Sequence, residues 1–211
     1  MKKGEDGMPS ENTNTAARKE KLGVRFALEE DLPAVLDIFF RAIRSLCAKG
    51  IEQWDEIYPD RKVLSDDIRR KEMRLLEENG IPVSAFVLNE EQMAEYRAVP
   101  WKFLPRKFSG ESVAVIHRLC VDPEKQGHGF GKISLLCAEE ILRNQGFGIV
   151  RLDAFSKNPA ALRLYESSGY RRAGKALFRN GLFYCYEKKL CPPDSPAEMP
   201  AGKSGTEDAA L

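Results

Sequence analysis

Three glycines alternate with larger residues in the run Gln126-Gly127-His128-Gly129-Phe130-Gly131-Lys132, and no other segment restricts the architecture of this chain as much. The run follows Ser112 to Val121, whose β-branched and apolar content reads as a strand ended by Asp122-Pro123. It precedes an apolar-periodic stretch, Ile133 to Asn144, which reads as a helix. An ordinary strand-to-helix turn needs one glycine. Three of them let main-chain N–H groups converge on one point, where a helix N-terminus adds about half a positive charge. That makes a cradle for pyrophosphate, with Lys132 beside it. Two well-known cradles fail on spacing. A Walker loop needs four residues between its glycines and a Ser or Thr after the Lys, whereas Gly127 and Gly131 enclose three and Ile133 follows Lys132. A dinucleotide fingerprint starting at Gly127 requires glycine where Lys132 stands.

Composition sets the limits of the folded unit. All 19 aromatic residues lie between Arg25 and Tyr186, and four of the 12 prolines crowd into residues 191–211 among Ser, Gly, Ala and acids. One domain is therefore expected at 23–190, with disordered arms at 1–22 and 191–211. The first arm has no apolar core of a secretory signal. A mean hydropathy of -0.41 without a long uncharged apolar run argues against a membrane partner, and a formal charge of +1 gives no footprint for nucleic acid. Cys47, Cys120, Cys137, Cys185 and Cys191 lack C-x-x-C spacing, which points to a reducing, cytoplasmic setting. With His117 and His128 the only histidines, no metal is expected.

Inside these limits, Val24 to Ala27 reads as a short strand. Leu32 to Cys47 reads as an amphipathic helix capped by Asp31, with Pro33 in its first turn and Gly50 as its stop. An aromatic loop follows from Gly50 to Pro59, then a short helix around Ser65 to Lys71. Asn79-Gly80 marks a hairpin ahead of the apolar run Ile81 to Leu88. Residues 89–112, with Tyr96, Trp101, Phe103 and Phe108, read as a long loop. After the glycine run come a strand at Ile149 to Phe155, a helix from Asn158-Pro159 to Ser167, and strands near Tyr170 to Arg172 and Phe183 to Lys188. This order argues for an α/β sheet.

Gln126-Gly127-His128-Gly129-Phe130-Gly131 resembles the Q/R-x-x-G-x-G/A acyl-CoA signature of the GNAT superfamily of N-acetyltransferases. The likeness extends to Val121-Asp122-Pro123 and to Asn158-Pro159-Ala160-Ala161-Leu162-Arg163-Leu164-Tyr165, which is similar to the family's N-x-x-A-x-x-L-Y segment. The implied fold is a single domain with a mixed, mostly antiparallel twisted sheet and helices on both faces. The implied activity is direct acetyl transfer from acetyl-CoA to a primary amine of a small molecule or peptide. A homodimer is compatible with it.

The resemblance also implies roles for individual residues. The main chain of Leu119, Cys120 and Val121 would pair with the pantetheine arm like an added strand. N–H groups from Gln126, Gly127, His128, Gly129, Phe130, Gly131 and Lys132 would hold the pyrophosphate, with His128 and Lys132 adding donors or charge. Asn158 is either a ligand to the cofactor arm or a helix cap. Tyr165 either protonates the departing thiolate or packs against its helix face. The Leu119 N–H would polarise the thioester carbonyl. His117, two residues before Leu119 and on the same face in regular alternation, is the candidate base; a structural histidine and proton transfer through water are its alternatives. Arg118, alternating to the other face, is expected to pair with an acid in the sheet. Trp54, Tyr58, Tyr96 and Trp101 are candidates for lining the amine pocket. Two other functions stay open: a non-catalytic acyl-CoA sensor or interaction module, and transfer of a longer acyl group.

Overall fold

A computed structural model describes residues 21–55, 57–105 and 112–190. The expected arms fall outside these residues apart from Lys21, Leu22 and the domain edge, and so does Phe108 of the long loop. Among the described residues seven strands form one sheet in the order β1-β2-β3-β4-β5-β7-β6. They are β1 (Leu22–Phe26), β2 (Met73–Glu78), β3 (Ile81–Asn89), β4 (Ser112–Val121), β5 (Phe147–Phe155), β6 (Arg171–Phe178) and β7 (Gly181–Lys189). The helices are α1 (Leu32–Ala48), α2 (Arg61–Arg69), α3 (Phe130–Asn144) and α4 (Pro159–Ser167). Only β4 and β5 pair in parallel; every other neighbouring pair is antiparallel. The hairpin at Asn79-Gly80 forms as its sequence dictates, both residues taking positive φ.

Strand alternation divides the core between the two faces of the sheet. Ala85 and Val87 of β3 pack with Val35 and Phe39 of α1 and with Leu64 and Ile68 of α2. Phe86 and Leu88, one residue out of step, pack with Leu135 and Leu142 of α3 and with Tyr165 of α4. Two local expectations need correction. Asp31 occupies the N-cap position of α1 but its side chain makes no capping bond there: its carboxylate holds Arg25 and accepts from the Leu28 N–H at 2.7 Å, closing a 3₁₀ turn instead. The second helix starts earlier than its apolar pattern suggests, because Asp60 caps it by accepting from the Val63 N–H at 2.8 Å.

The sheet opens at its centre. β4 and β5 pair from Ser112 opposite Phe147 to Val115 opposite Arg151, and no further. On its other edge β4 stays paired with β3 as far as Val121, but Arg118 and Leu119 together face the single residue Phe86. This β-bulge puts Arg118 at φ 52°, bends the strand and leaves its end diverging from β5.

Candidate active site

The gap between the parted strands is a cleft of about 440 Å³. Its walls include Leu119 and Val121 of β4, the loop from Gln126 to Lys132 apart from His128, Asp153 and Ala154 of β5, Asn158 at the start of α4 and Tyr165 within it. Among the described residues the β5-facing edge of β4 beyond Val115 has no strand partner, so its main chain is available to an extended ligand. At the far end, Gly127 and Gly129 take φ values of 84° and 86°, a left-handed conformation that residues with a Cβ resist. Gly129 is the N-cap of α3, and the first helical bond runs from Ile133 N–H to the Gly129 carbonyl. The amides of Phe130, Gly131 and Lys132 therefore stand at the open helix end. A Cβ on Gly131 would lie 3.4 Å from Leu164 Cδ2, within the cleft lining. Arg41 of α1 fixes the strand exit by a bidentate pair with Asp122, 2.8 and 2.9 Å, while Asp122 also accepts from the Glu124 N–H.

Of the candidate side chains, His128 departs from its sequence reading, and the others take specific partners. Cys120 packs into the α1 core, so only its main chain can face a ligand. His128 is exposed, with Nδ1 3.1 Å from the Gln126 carbonyl, and does not line the cleft. Gln126 donates to the Val121 carbonyl at 3.2 Å. Asn158 caps α4 by accepting from the Ala161 N–H at 3.2 Å, and its Nδ2 donates to Gln53 Oε1 at 2.9 Å. Tyr165 is buried, borders Tyr170 and Tyr186, and lines the cleft. Burial, reinforced by the nearby Asp153 charge, pushes its pKa far up, so the hydroxyl stays protonated.

A second cavity of about 400 Å³ adjoins the cleft, and Gln53 and Asp153 line both. Trp54, Tyr58, His117 and Arg118 form part of its wall, together with Phe178 and Phe183. The bulge overturns the alternation expected on β4: Arg118 shares the cavity with His117, while Leu119 belongs to the cleft. Arg118 does pair with an acid, but from a helix. It grips Asp67 of α2 through two bonds of 2.8 and 2.9 Å and donates to the Tyr58 hydroxyl at 2.6 Å. Arg179 closes another side by holding Asp55 at 2.8 and 2.9 Å. His117 Nε2 lies 3.2 Å from the Glu91 carbonyl, and burial together with the Arg118 charge lowers its pKa to about 4.

Tyr96 and Trp101 line neither cavity. They stack edge-on at 5.4 Å in a cluster with Val99 and Val115, and the Arg151 guanidinium covers Trp101 at 4.1 Å. Glu187 anchors this loop by accepting from the Lys102 and Phe103 amides at 3.0 Å. Tyr96 reaches the site from behind, donating to Asp153 Oδ2 at 2.6 Å. Asp153, Gln53 and Arg118 line the site although the sequence reading does not place them there. Asp153 had one signal, an acid inside the apolar run Ile149 to Phe155. Among the described residues no cluster of His, Cys, Asp and Glu forms a metal site, and no helix is long and apolar enough to cross a membrane.

Comparison with known proteins matches residues 45–170 to the acetyltransferase (GNAT) family. The chain is 26% identical to S-(2-succino)cysteine N-acetyltransferase of Bacillus subtilis over 167 residues, covering 78% of this chain and 93% of that one. It is 31% identical over 121 residues to mycothiol acetyltransferase of Amycolatopsis mediterranei, of which it spans 38%. A GNAT-family acetyltransferase from Streptococcus agalactiae shares the fold with a TM-score of 0.70 at 19% identity, covering 80% of this chain and 95% of that one. The yncA protein of Salmonella typhimurium, solved with its cofactor acetyl-CoA, superposes with a TM-score of 0.59 at 18% identity, over 84% of this chain and 99% of that one. The glycine run, the parted strands and the matched family model agree: this chain is an acetyltransferase of the GNAT family.

Proposed function

We propose that the protein transfers the acetyl group of acetyl-CoA to a primary amine of a small molecule or peptide, with both substrates bound at once. The observation that carries this reading is the junction of two spaces. A cleft with an unpaired strand edge and an open helix N-terminus meets a separate, aromatic-walled cavity at Asp153. A ternary complex needs such an arrangement, since the amine and the thioester must approach from different sides.

In this reading the pantetheine arm lies along the Leu119–Val121 main chain and the pyrophosphate rests on the amides from Gly127 to Lys132. Lys132 adds positive charge at the rim. The Leu119 N–H, in the bulge, polarises the thioester carbonyl, and the Tyr165 hydroxyl supplies the proton for the leaving sulfur. The high pKa of Tyr165 suits a proton donor that must never ionise beforehand. The amine enters through the second cavity, past Trp54 and Tyr58.

A screen of primary amines with acetyl-CoA, read by release of free thiol and by mass of the acetamide, tests the reading. Turnover with at least one amine is expected, and Tyr165→Phe should lower it by about 100- to 10,000-fold while CoA binding persists. Tight CoA binding without turnover on any amine would favour an acyl-CoA sensor.

A further inference from the structure

Asp153 stands where the two spaces meet. Its Oδ2 is held by the Tyr96 hydroxyl at 2.6 Å, which fixes the carboxylate and leaves Oδ1 for a ligand. The titratable and charged groups facing it are Glu95 and Tyr96 from the turn at 94–98, Arg118 from β4, Tyr165 from α4 and Cys185 from β7. Both arginines of the cavity, Arg118 and Arg179, already hold the carboxylates of Asp67 and Asp55. His117, by contrast, lines the cavity alone and not the cleft, with its Nε2 committed to the Glu91 carbonyl.

We infer that Asp153, rather than His117, receives the ammonium group of the acceptor and takes its proton, with Tyr96 as its positioning residue. This inference rests on the amine-acetylation reading above. The acceptor arrives as R–NH₃⁺ and gives one proton to the Asp153 carboxylate, becoming R–NH₂. Its lone pair forms the C–N bond at the acetyl carbonyl carbon while the C–S bond breaks. Tyr165 gives its proton to the sulfur and regains one from the nitrogen. The products are the amide and the CoA thiol, and the proton on Asp153 returns to water through the cavity.

Burial raises the Asp153 carboxyl to about 6, against the lowering effects of the Tyr96 hydrogen bond and of Arg118. It is thus ionised at neutral pH yet basic enough to hold a proton in passing, whereas His117, lowered to about 4, is a much weaker base.

Asp153→Asn, Tyr96→Phe and His117→Gln test the assignment through rate–pH profiles, CoA calorimetry and a carboxyl ¹³C NMR titration of the full chain. Asp153→Asn should bind CoA, lose about 100- to 10,000-fold in kcat, and lose the acidic limb of the profile. Tyr96→Phe removes a bond that lowers the Asp153 pKa, so the acidic limb and the NMR midpoint should both move to higher pH. His117→Gln, whatever its effect on turnover, should keep the limb. An Asp153→Asn protein that retains turnover and the limb, or a limb that vanishes with His117→Gln alone, would overturn the assignment and leave the acetyltransferase reading standing. Should Asp153→Asn fail to fold, an unmoved limb and midpoint in Tyr96→Phe overturn it equally. A parent chain that binds CoA but releases no thiol with any amine would overturn both readings.

Discussion

The cleft and the cavity share Asp153 and Gln53, yet they are built in different ways. The cleft rests on consecutive main chain, where Gly127 and Gly129 sit in left-handed conformations and Gly131 keeps a gap beside Leu164. The cavity is made of side chains from remote segments, joined by Arg118 to Asp67, Arg179 to Asp55 and Asn180 Nδ2 to the Gln53 carbonyl. On the proposed function, a main-chain site would read a feature common to every CoA ester and would be damaged by adding atoms. A side-chain site can change its acceptor by substitution and is damaged by removing partners.

The largest expected effect follows from removing such a partner. Asp67 is fully buried and its charge holds Arg118, itself only 11% exposed. Asp67→Ala leaves that guanidinium buried without its carboxylate and should cost about 3–5 kcal/mol in chemical denaturation. A loss no larger than that of an exposed ion pair would show that the cavity does not depend on this link.

Next comes a gain. Because burial raises the Asp153 pKa from 3.8 to about 6, the folded state favours the protonated carboxyl. The stability this gives is present below the ordinary pKa and is lost as pH rises through about 6. Asp153→Asn should therefore be more stable than the parent at neutral pH, on the order of 2 kcal/mol, with the difference vanishing near pH 4. Thermal melts across this range check it; a variant less stable at pH 7 contradicts the sign.

On the cleft side, Gly129→Val places a β-branched residue at φ 86°. The strain is about 1–2 kcal/mol, and calorimetry should show CoA affinity falling by about tenfold or more. Unchanged affinity in a folded variant would remove the loop from the binding site. The smallest effect concerns α2, which carries Asp67: Asp60→Ala deletes its N-cap and should cost about 1 kcal/mol by denaturation.

The same difference explains what the sequence made legible. The strand-to-helix turn at Gly127 to Gly131 could be read because its residues are neighbours in the chain, and Gly127 and Gly129 take the left-handed conformations that glycine favours. The hairpin and the order of elements were legible for the same local reason. Asp153 could not be assigned, since its meaning depends on Tyr96, which lies 57 residues away. Regular alternation puts Arg118 on the face opposite His117, but one left-handed residue ends that alternation, and nothing in Ile116-His117-Arg118-Leu119 marks a bulge. Aromatic character alone points Trp101 to the amine pocket, whereas Arg151 and Glu187 hold its loop against the sheet away from both spaces.

The meeting of cleft and cavity at Asp153 is tested most directly by a crystal structure of the protein with CoA and an N-acetylated amine. The expected result has the pantetheine hydrogen-bonded to the Leu119–Val121 main chain, the sulfur within hydrogen-bonding distance of the Tyr165 hydroxyl, and the acetamide nitrogen facing Asp153 from the cavity of Trp54 and Phe183. Density for CoA elsewhere, for example in the apolar groove lined by Val24, Leu76 and Ile141, or a thiol pointing away from Asp153, would contradict it.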